Sequence, residues 1–219
     1  MSGRGRWVDP FAGMPGRRLF VAVPLSDDAA AAVASIVDEV RGQALPDGMR
    51  DVRWVRLDGL HLTLRFLGPT SPERIEPTAL AVRAVAAECP PLRLTIAGSG
   101  TFPSGPRPRT LWLGLGEGHA ALGDLAAATD VALRAAGWSF EDRPMRPHLT
   151  LARSDGLAAG PLVAARLAAA MGDRTIVAGI DRLNLFESVT GGGPARYVPV
   201  DEAPLGAAPP EGSAVYHPI

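Results

Sequence analysis

The chain has 219 residues, 47% of them hydrophobic, so it can bury one large core or two smaller lobes. Its 22 basic and 23 acidic residues give a formal net charge of −1, which excludes a broadly basic coat for nucleic acid and limits any RNA contact to a few phosphates. The single cysteine, Cys89, excludes an internal disulfide and a cysteine-rich zinc site.

The N-terminal segment, residues 1–17, mixes arginine, glycine and proline and lacks the apolar stretch of a signal peptide. We predict that this segment is a flexible extension. No apolar run in the chain reaches the length of a membrane span, so we expect a cytoplasmic protein with no membrane contact.

Strands and helices alternate in the first half of the chain. Apolar, β-favouring residues predict strands, whereas an alanine-rich run after Asp28 and a second run that begins at Ser71 predict helices. The predicted strands are residues 19–25, residues 52–67 with a break at 58–59, and residues 92–96, and the predicted helices are residues 29–40 and 71–89.

The same alternation continues in the second half, after a glycine- and proline-rich segment at residues 98–109 that predicts a loop. Three consecutive glycines at residues 191–193 predict a hairpin connection, because no Gly-Lys-Ser/Thr follows them to form a phosphate loop. The predicted strands are residues 110–115, 147–153, 175–188 and 196–200, and the predicted helices are residues 120–136 and 161–171.

This order of elements suggests that one α/β unit is used twice. We expect the two halves to meet near residues 100–108, with the last strands free to cross back to the first half. The sequence therefore predicts one two-lobed domain over residues 18–200. The proline- and alanine-rich residues 201–219 predict an irregular C-terminal tail.

Two of the four histidines lie in identical HLTL tetrapeptides, at residues 61–64 and 148–151. Because side chains alternate along a strand, each copy places its histidine and threonine on one face and its leucines on the other. A single copy is typical of an ordinary amphipathic strand with an exposed histidine, and duplication alone can preserve a repeat. Two copies at matched positions favour a shared function. His119 and His217 have no such context, and we expect them at the surface.

Two histidines on opposite sides of a cleft suit the chemistry of phosphorus. In-line displacement places the attacking and leaving oxygens on opposite sides of the phosphate, so a general base and a general acid must face each other across it. Histidine serves in both roles because its ordinary pKa lies near neutrality. The threonine hydroxyls of the two motifs can then donate hydrogen bonds to the non-bridging oxygens.

The flanks of these motifs carry a family resemblance. Residues 61–68 read HxTxxFLG and residues 147–153 read PHxTLAR, which resemble the paired signatures of the two-histidine phosphoesterases. The resemblance is specific to the RNA 2',3'-cyclic phosphodiesterases, also called 2'-5' RNA ligases, and it covers about residues 18–200. Further matching segments are residues 18–23, 53–55, 98–103, 108–114 and 185–188.

The resemblance implies an α+β fold with two pseudo-symmetric antiparallel sheets, outer helices and a central cleft. It implies hydrolysis of RNA or nucleotide 2',3'-cyclic phosphates to 2'-phosphates without a metal or another cofactor, and we expect the protein to be a monomer. His61, Thr63, His148 and Thr150 are the implied catalytic residues, with His148 as the base and His61 as the acid. Arg153 matches a family arginine close to the phosphate.

Four other residues are candidates for substrate contacts. Arg107 and Arg109 lie in the predicted loop before residue 110, where they could bind RNA phosphates or extend into solvent. We assign substrate binding to Arg109, because it lies in a segment that matches the family. Trp54 and Phe66 could stack on a base, although we expect both to pack in the core.

Three alternative functions stay open. The same site can run backwards as a 2'-5' RNA ligase, because microscopic reversibility exchanges the roles of the two histidines. A module that only binds RNA ends or nucleotides is a second alternative, although such a module needs no pair of proton-transfer groups. A metal site on His61 and His148 is a third, but neither motif contains a carboxylate to complete the ligand set.

Overall fold

The computed structural model describes residues 15–47, 49, 52–141, 145–154, 159–191 and 193–206. This part of the chain forms four α-helices and nine β-strands. In chain order the elements are β1 (Arg17–Pro24), α1 (Asp27–Arg41), β2 (Arg53–Trp54), β3 (His61–Thr70), α2 (Pro72–Glu88), β4 (Leu92–Phe102), β5 (Thr110–Leu115), α3 (His119–Ala135), β6 (Leu149–Arg153), α4 (Ala159–Met171), β7 (Thr175–Ile180), β8 (Arg182–Gly191) and β9 (Gly193–Pro204).

The strands form two antiparallel sheets. The first sheet has four strands in the order β3-β1-β8-β9, and the second has five in the order β2-β6-β5-β4-β7. The predicted α+β fold with two antiparallel sheets and helices is therefore confirmed. No helix in the described part of the chain is long and apolar enough to cross a lipid bilayer.

The division of the chain between the two sheets differs from the prediction. Strand β4 was expected in the first half, but it pairs with β5 and β7 in the second sheet, so the expected boundary near residues 100–108 is wrong. The prediction that the last strands can cross back to the first half is confirmed, since β8 and β9 complete the first sheet. The single strand predicted over residues 175–188 is two strands, which separate at Asp181 and enter different sheets.

Two strands extend beyond their predicted ends. Strand β4 continues to Phe102 through residues predicted as a loop, because residues 99–102 pair with β5. Strand β9 continues to Pro204, where it pairs with β8 at residues assigned to an irregular tail. In both cases, hydrogen bonds to a neighbouring strand override a local composition rich in glycine, alanine or proline.

One face of each sheet packs against the helices. In β1 the odd-numbered residues Leu19, Val21 and Val23 join the main hydrophobic core, whereas Phe20 and Ala22 belong to a separate apolar cluster on the opposite face. Such alternation is expected of a strand buried on both sides. The two faces of the first sheet therefore differ, and the face that carries Phe20 also carries the first HLTL histidine.

Candidate active site

The two HLTL motifs lie on β3 and at the start of β6, one in each sheet. In each copy the first leucine, Leu62 or Leu149, is completely buried in the core. Burial of a leucine side chain stabilises the fold by about 1.5–3 kcal/mol, so each strand is firmly anchored on its core face. The histidines and threonines face the other way and are half-buried.

Both motif histidines make the same hydrogen bond. The Nδ1 atom of His61 lies 2.7 Å from the carbonyl oxygen of Gly59, and Nδ1 of His148 lies 2.6 Å from the carbonyl oxygen of Arg146. A carbonyl oxygen can only accept, so each imidazole keeps its proton on Nδ1. Each ring therefore presents Nε2 as the nitrogen that is free to accept or donate a proton.

The second leucine of each motif forms a β-bulge. Leu64 has no partner in the pairing of β3 with β1, and Leu151 has none in the pairing of β6 with β5. The extra residue reverses the alternation of side chains along the strand. The residue five positions after each histidine therefore returns to the face of that histidine: Phe66 in the first sheet and Arg153 in the second.

Aromatic rings surround His61. Its imidazole lies 4.9 Å from the ring of Phe20 and 5.8 Å from that of Phe186, between centroids. The ring of Tyr197 meets it edge-on at 4.7 Å. Burial among these rings lowers the pKa of His61, and the hydrogen bond to Gly59 opposes this effect only in part.

The environment of His148 is more open and contains a cation. Its ring meets Phe102 edge-on at 5.0 Å and lies 6.2 Å from Trp112. Partial burial lowers the pKa of His148, the hydrogen bond to Arg146 raises it, and the charge of Arg153 lowers it further. Both histidines therefore favour the neutral form mainly because they are buried, and among the described residues a nearby positive charge adds to this effect at His148 and not at His61.

Trp112 approaches His148 because the neighbouring strand has a glycine opposite it. Trp112 pairs with Gly100 of β4 on one side and with Thr150 of β6 on the other. A Cβ atom at Gly100 would overlap the indole ring, so only glycine allows the ring to lie flat across β4. The indole Nε1 is buried and has no hydrogen-bond partner among the described residues.

Arg153 projects from the end of β6. Its Nη1 donates a hydrogen bond to Oγ1 of Thr110 at 2.7 Å, and Arg53 is its neighbour across the pair β2-β6. Surrounding protein lowers the pKa of Arg153, Tyr197 raises it and Arg53 lowers it, although part of the side chain remains exposed. A guanidinium of this kind stays charged at any neutral pH.

Tyr197 connects the two motif strands. It lies on β9 of the first sheet, contacts His61 and is close enough to Arg153 of the second sheet for each to affect the other's pKa. Burial raises the pKa of the Tyr197 phenol, and the charges of Arg153 and Arg18 oppose this rise. The structure thus brings the surroundings of His61 and His148 together at one cleft.

Tyr197 was not found by sequence reasoning. The only signal was its rarity, since the chain has two tyrosines, and its position after the glycine hairpin. Its contact with His61 depends on the pairing of β8 with β9, which no local pattern predicts.

The two motif threonines are available to a ligand. Thr63 and Thr150 are half-buried, and neither hydroxyl has a hydrogen-bond partner in the part of the chain that the structure describes. Each lies two residues after its histidine on the same face of the strand. Each motif therefore offers one ring nitrogen and one hydroxyl from its own sheet.

The other residues considered for substrate contacts differ in their burial. Arg107 and Arg109 are exposed, and the backbone of Arg109 bonds to the carbonyl of Phe102 and to the amide of Ser154. Trp54 packs against the core as expected. The expected core position of Phe66 is wrong, because the bulge at Leu64 turns Phe66 outward and leaves it 64% exposed.

The two histidines outside the motifs were expected at the surface. His119 is exposed on α3, whereas His217 lies outside the described residues.

Arg65 faces the helices, where its Nε donates to Oδ1 of Asp130 at 2.6 Å and its guanidinium stacks on Phe140. The described residues contain no group of three or more His, Cys, Asp or Glu side chains that could hold a metal ion. A cavity of about 540 Å³ lies between α2 and α3, and none of the four motif residues lines it.

Comparisons with known proteins place these features in a family. The model of the 2'-5' RNA ligase superfamily matches residues 25–192. The chain is 37% identical over 134 residues to an RNA 2',3'-cyclic phosphodiesterase of Geobacillus stearothermophilus, covering 61% of this chain and 41% of that one. It is 34% identical over 107 residues to an RNA 2',3'-cyclic phosphodiesterase of Aeropyrum pernix, covering 48% of this chain and 58% of that one.

The fold is similar to that of Escherichia coli LigT in its crystal structure with 3'-AMP. The TM-score is 0.65 at 26% sequence identity, and the match covers 86% of this chain and 98% of the LigT chain. The sequence alignments span less than two thirds of the length of the two relatives named above. The structural match, by contrast, includes nearly all of LigT.

Proposed function

The chain belongs to the 2'-5' RNA ligase superfamily, and from this premise we propose that it hydrolyses RNA or nucleotide 2',3'-cyclic phosphate ends to 2'-phosphates. The observation that carries the proposal is the matched pair of imidazoles. Both His61 and His148 bond through Nδ1 to the carbonyl two residues upstream and present Nε2. A general acid and a general base that act across one phosphate need this arrangement.

The proposed reaction is one in-line displacement at phosphorus. Nε2 of His148 takes a proton from a water molecule as the water oxygen forms a new bond to phosphorus. The bond from phosphorus to the 3'-oxygen breaks, and Nε2 of His61 donates a proton to that oxygen. The products are a free 3'-hydroxyl and a 2'-phosphate, and the two histidines have exchanged their protonation states.

The surroundings of His148 support its assignment as the base. Partial burial lowers the pKa of His148 and the charge of Arg153 lowers it further, so His148 is suited to start as the neutral base. Burial among aromatic rings lowers the pKa of His61 as well, so the described residues around it do not by themselves keep it protonated. When the substrate binds, its negative charge stabilises a proton on His61, because an opposite charge close by favours the charged form.

The remaining polar groups are proposed to stabilise the charge on the phosphate. Thr63 and Thr150 offer hydroxyl donors from the two sheets, and Arg153 offers a guanidinium whose orientation is fixed by its hydrogen bond to Thr110. Donors that are positioned before the reaction stabilise the transition state without reorganisation. Arg109 is proposed to contact an RNA phosphate further along the strand, from the loop next to Phe102.

We also propose that the enzyme acts in the cytoplasm and as a monomer. All four motif residues and Arg153 come from one chain, so a second copy need not complete the site. The relatives named above are RNA 2',3'-cyclic phosphodiesterases, which supports RNA ends as the substrate class.

The test is direct turnover of a 2',3'-cyclic nucleotide with excess EDTA, followed by ³¹P NMR. We expect a 2'-phosphate as the product at an undiminished rate, and no product from the His61→Ala/His148→Ala double variant. A 3'-phosphate product, or a rate that EDTA abolishes and zinc or manganese restores, would refute the proposed chemistry. Binding without turnover would favour a binding module, and joining of a cyclic phosphate end to a 5'-hydroxyl end would demonstrate the ligase reaction.

A further inference from the structure

The first sheet carries a second polar row on its cleft face, formed by Arg18, Ser188 and Tyr197. In β1, Arg18 lies two residues before Phe20 and therefore shares its face, since β1 has no bulge of its own. Ser188 and Tyr197 are directly opposed in the pair β8-β9. The pairing of Leu19 with residue 187 of β8, continued by one position, places Arg18 opposite Ser188.

Tyr197 of this row contacts the catalytic histidine, with ring centroids 4.7 Å apart, and the row lies one strand repeat from Phe20 and Phe186. Phe20 and Phe186 form the neighbouring row, and the imidazole of His61 rests on the ring of Phe20 at 4.9 Å. The row therefore begins beside His61 at Tyr197 and continues across β8 to Arg18 of β1.

The charges along the row suit an anion. The charges of Arg153 and Arg18 both act to lower the pKa of the Tyr197 phenol, against the rise that its burial causes, so two cations lie near this phenol. The carboxylate nearest to Ser188 in sequence, Glu187, lies on the opposite face of the sheet, where it pairs with Arg17 at 2.7 Å. All three residues of the row are half-buried, and the hydroxyls of Ser188 and Tyr197 have no hydrogen-bond partner within the described residues.

We propose that Arg18, Ser188 and Tyr197 bind the internucleotide phosphodiester immediately 5' to the terminal cyclic phosphate. Arginine, serine and tyrosine are donors that proteins commonly direct at nucleic-acid phosphates. The inference rests on the proposed function and narrows its substrate class, because it makes an RNA strand of two or more nucleotides the preferred substrate over a mononucleotide.

The test compares three substrates with the same terminal nucleotide. They are a 2',3'-cyclic mononucleotide, the corresponding dinucleotide, and the dinucleotide with an uncharged methylphosphonate link. For the native enzyme we expect kcat/KM for the dinucleotide to exceed that for the mononucleotide by about tenfold, the effect of one charge-assisted contact. The methylphosphonate should lose most of this advantage.

Single variants test whether the preference for the dinucleotide depends on the row of Arg18, Ser188 and Tyr197. Arg18→Gln should reduce the dinucleotide-to-mononucleotide ratio to near that of the methylphosphonate, and Ser188→Ala should reduce it less. Arg17→Gln is the matched control, because it removes the same charge from the next residue of β1 but on the opposite face. It should keep the native ratio.

Binding of the products separates this inference from the proposed function. Calorimetry gives Kd for a nucleoside 2'-phosphate and for the dinucleotide 2'-phosphate without any turnover, and Arg18→Gln should reduce the ratio of these constants too. An enzyme without turnover would refute the proposed function, while the Kd ratio would still decide on the phosphate site. Equal ratios for Arg18→Gln and Arg17→Gln, or no dinucleotide preference in the native protein, would overturn the site.

Discussion

The two halves of the cleft place the same tetrapeptide in different surroundings. His61 and His148 share a buried leucine anchor, an Nδ1 bond to a carbonyl and a bulge three residues later. Around His61 the neighbouring strands supply aromatic rings, whereas around His148 they supply two rings and a guanidinium. The motif therefore fixes the position and tautomer of each imidazole, and the neighbouring strands set its preferred charge.

The bulge makes this difference possible. It brings the fifth residue after each histidine to the cleft face, and this residue is Phe66 on one side and Arg153 on the other. The two copies of the motif thus differ at this position in an apolar residue and a cation. The cation lowers the pKa of His148, which suits it to be the imidazole that starts neutral.

The largest expected effect comes from removing either imidazole. His61→Ala and His148→Ala should each lower kcat by about 10²–10⁴, and the double variant should cost little more, because the pair acts as a unit. Steady-state kinetics on a cyclic nucleotide measure these losses. Equal activity of one single variant and the native enzyme would remove that histidine from the mechanism.

A substrate with an activated leaving group tests which histidine is the acid. Such a leaving group departs without a proton, so it should rescue His61→Ala and leave His148→Ala slow. Rescue of His148→Ala instead would reverse the two roles while leaving the two-histidine mechanism in place. The comparison is independent of how far each variant has lost activity towards the natural substrate.

The next largest loss of kcat is expected from substitution of Thr63, Thr150 or Arg153, which are proposed to bind the phosphate. Thr63→Ala and Thr150→Ala should each lower kcat by about 10²–10³, with little change in the pH optimum, because these hydroxyls stabilise charge and move no protons. Arg153→Gln should lower kcat similarly. Arg153→Lys should recover only part of the rate, since a point charge replaces a two-pronged donor.

Arg153 also acts on the pH profile, which distinguishes it from the threonines. Its charge lowers the pKa of His148, so Arg153→Gln should raise the pKa of the base and move the acidic limb of the pH–rate profile to higher pH. An unchanged acidic limb would show that Arg153 does not influence the base. Thr110→Val is a further control, because it removes the hydrogen bond that orients Arg153 but keeps the charge.

The sequence predicted the parts of this arrangement that depend on local pattern. Alternation and turn residues located most strands and helices, and the repeated tetrapeptide indicated His61 and His148. What it missed depends on pairing between distant strands. Residues far away in the chain determine which sheet β4 joins. They also determine the bulge at Leu64 that exposes Phe66, and the contact of Tyr197 with His61.

Substitution of the glycines that pack against Trp112 and Tyr197, near the two histidines, should have a smaller effect on stability and activity. A methyl group at Gly100 would overlap the ring of Trp112 near His148, whereas at Gly59 it would lie at a tight 3.3 Å from Tyr197 near His61. Overpacking of this kind typically costs about 1–3 kcal/mol. Gly100→Ala should therefore lower the free energy of unfolding, and kcat with it, more than Gly59→Ala does.

Gly179→Ala is the control for these glycine variants. Gly179 lies on β7, and a Cβ atom there would have no heavy atom within 4 Å. Denaturant unfolding of the three variants gives the comparison. A loss in Gly179→Ala as large as that in Gly100→Ala would show that strand glycines, and not the packing of Trp112, account for the effect.

The smallest expected effect is a pH dependence of stability that is stronger on the side of His61. Burial lowers the pKa of this histidine below its ordinary value of 6.5, so the unfolded chain binds its proton at a higher pH than the folded protein does. The stability that this gives is present above pH 6.5. It is lost as the pH falls from 6.5 through the lowered pKa of the folded state.

The measurement is the free energy of unfolding from pH 7.5 to 5 for the native protein and for single variants. His61→Gln should lose less stability on acidification than the native protein, because glutamine has no charged form to be excluded from the aromatic cluster. His148→Gln should show a smaller difference, since its ring is less enclosed, and His119→Gln, at an exposed position on α3, should follow the native curve. Parallel curves for His61→Gln and the native protein would show that the aromatic surroundings do not oppose protonation. The difference between the two halves of the cleft would then depend on the charge of Arg153 alone.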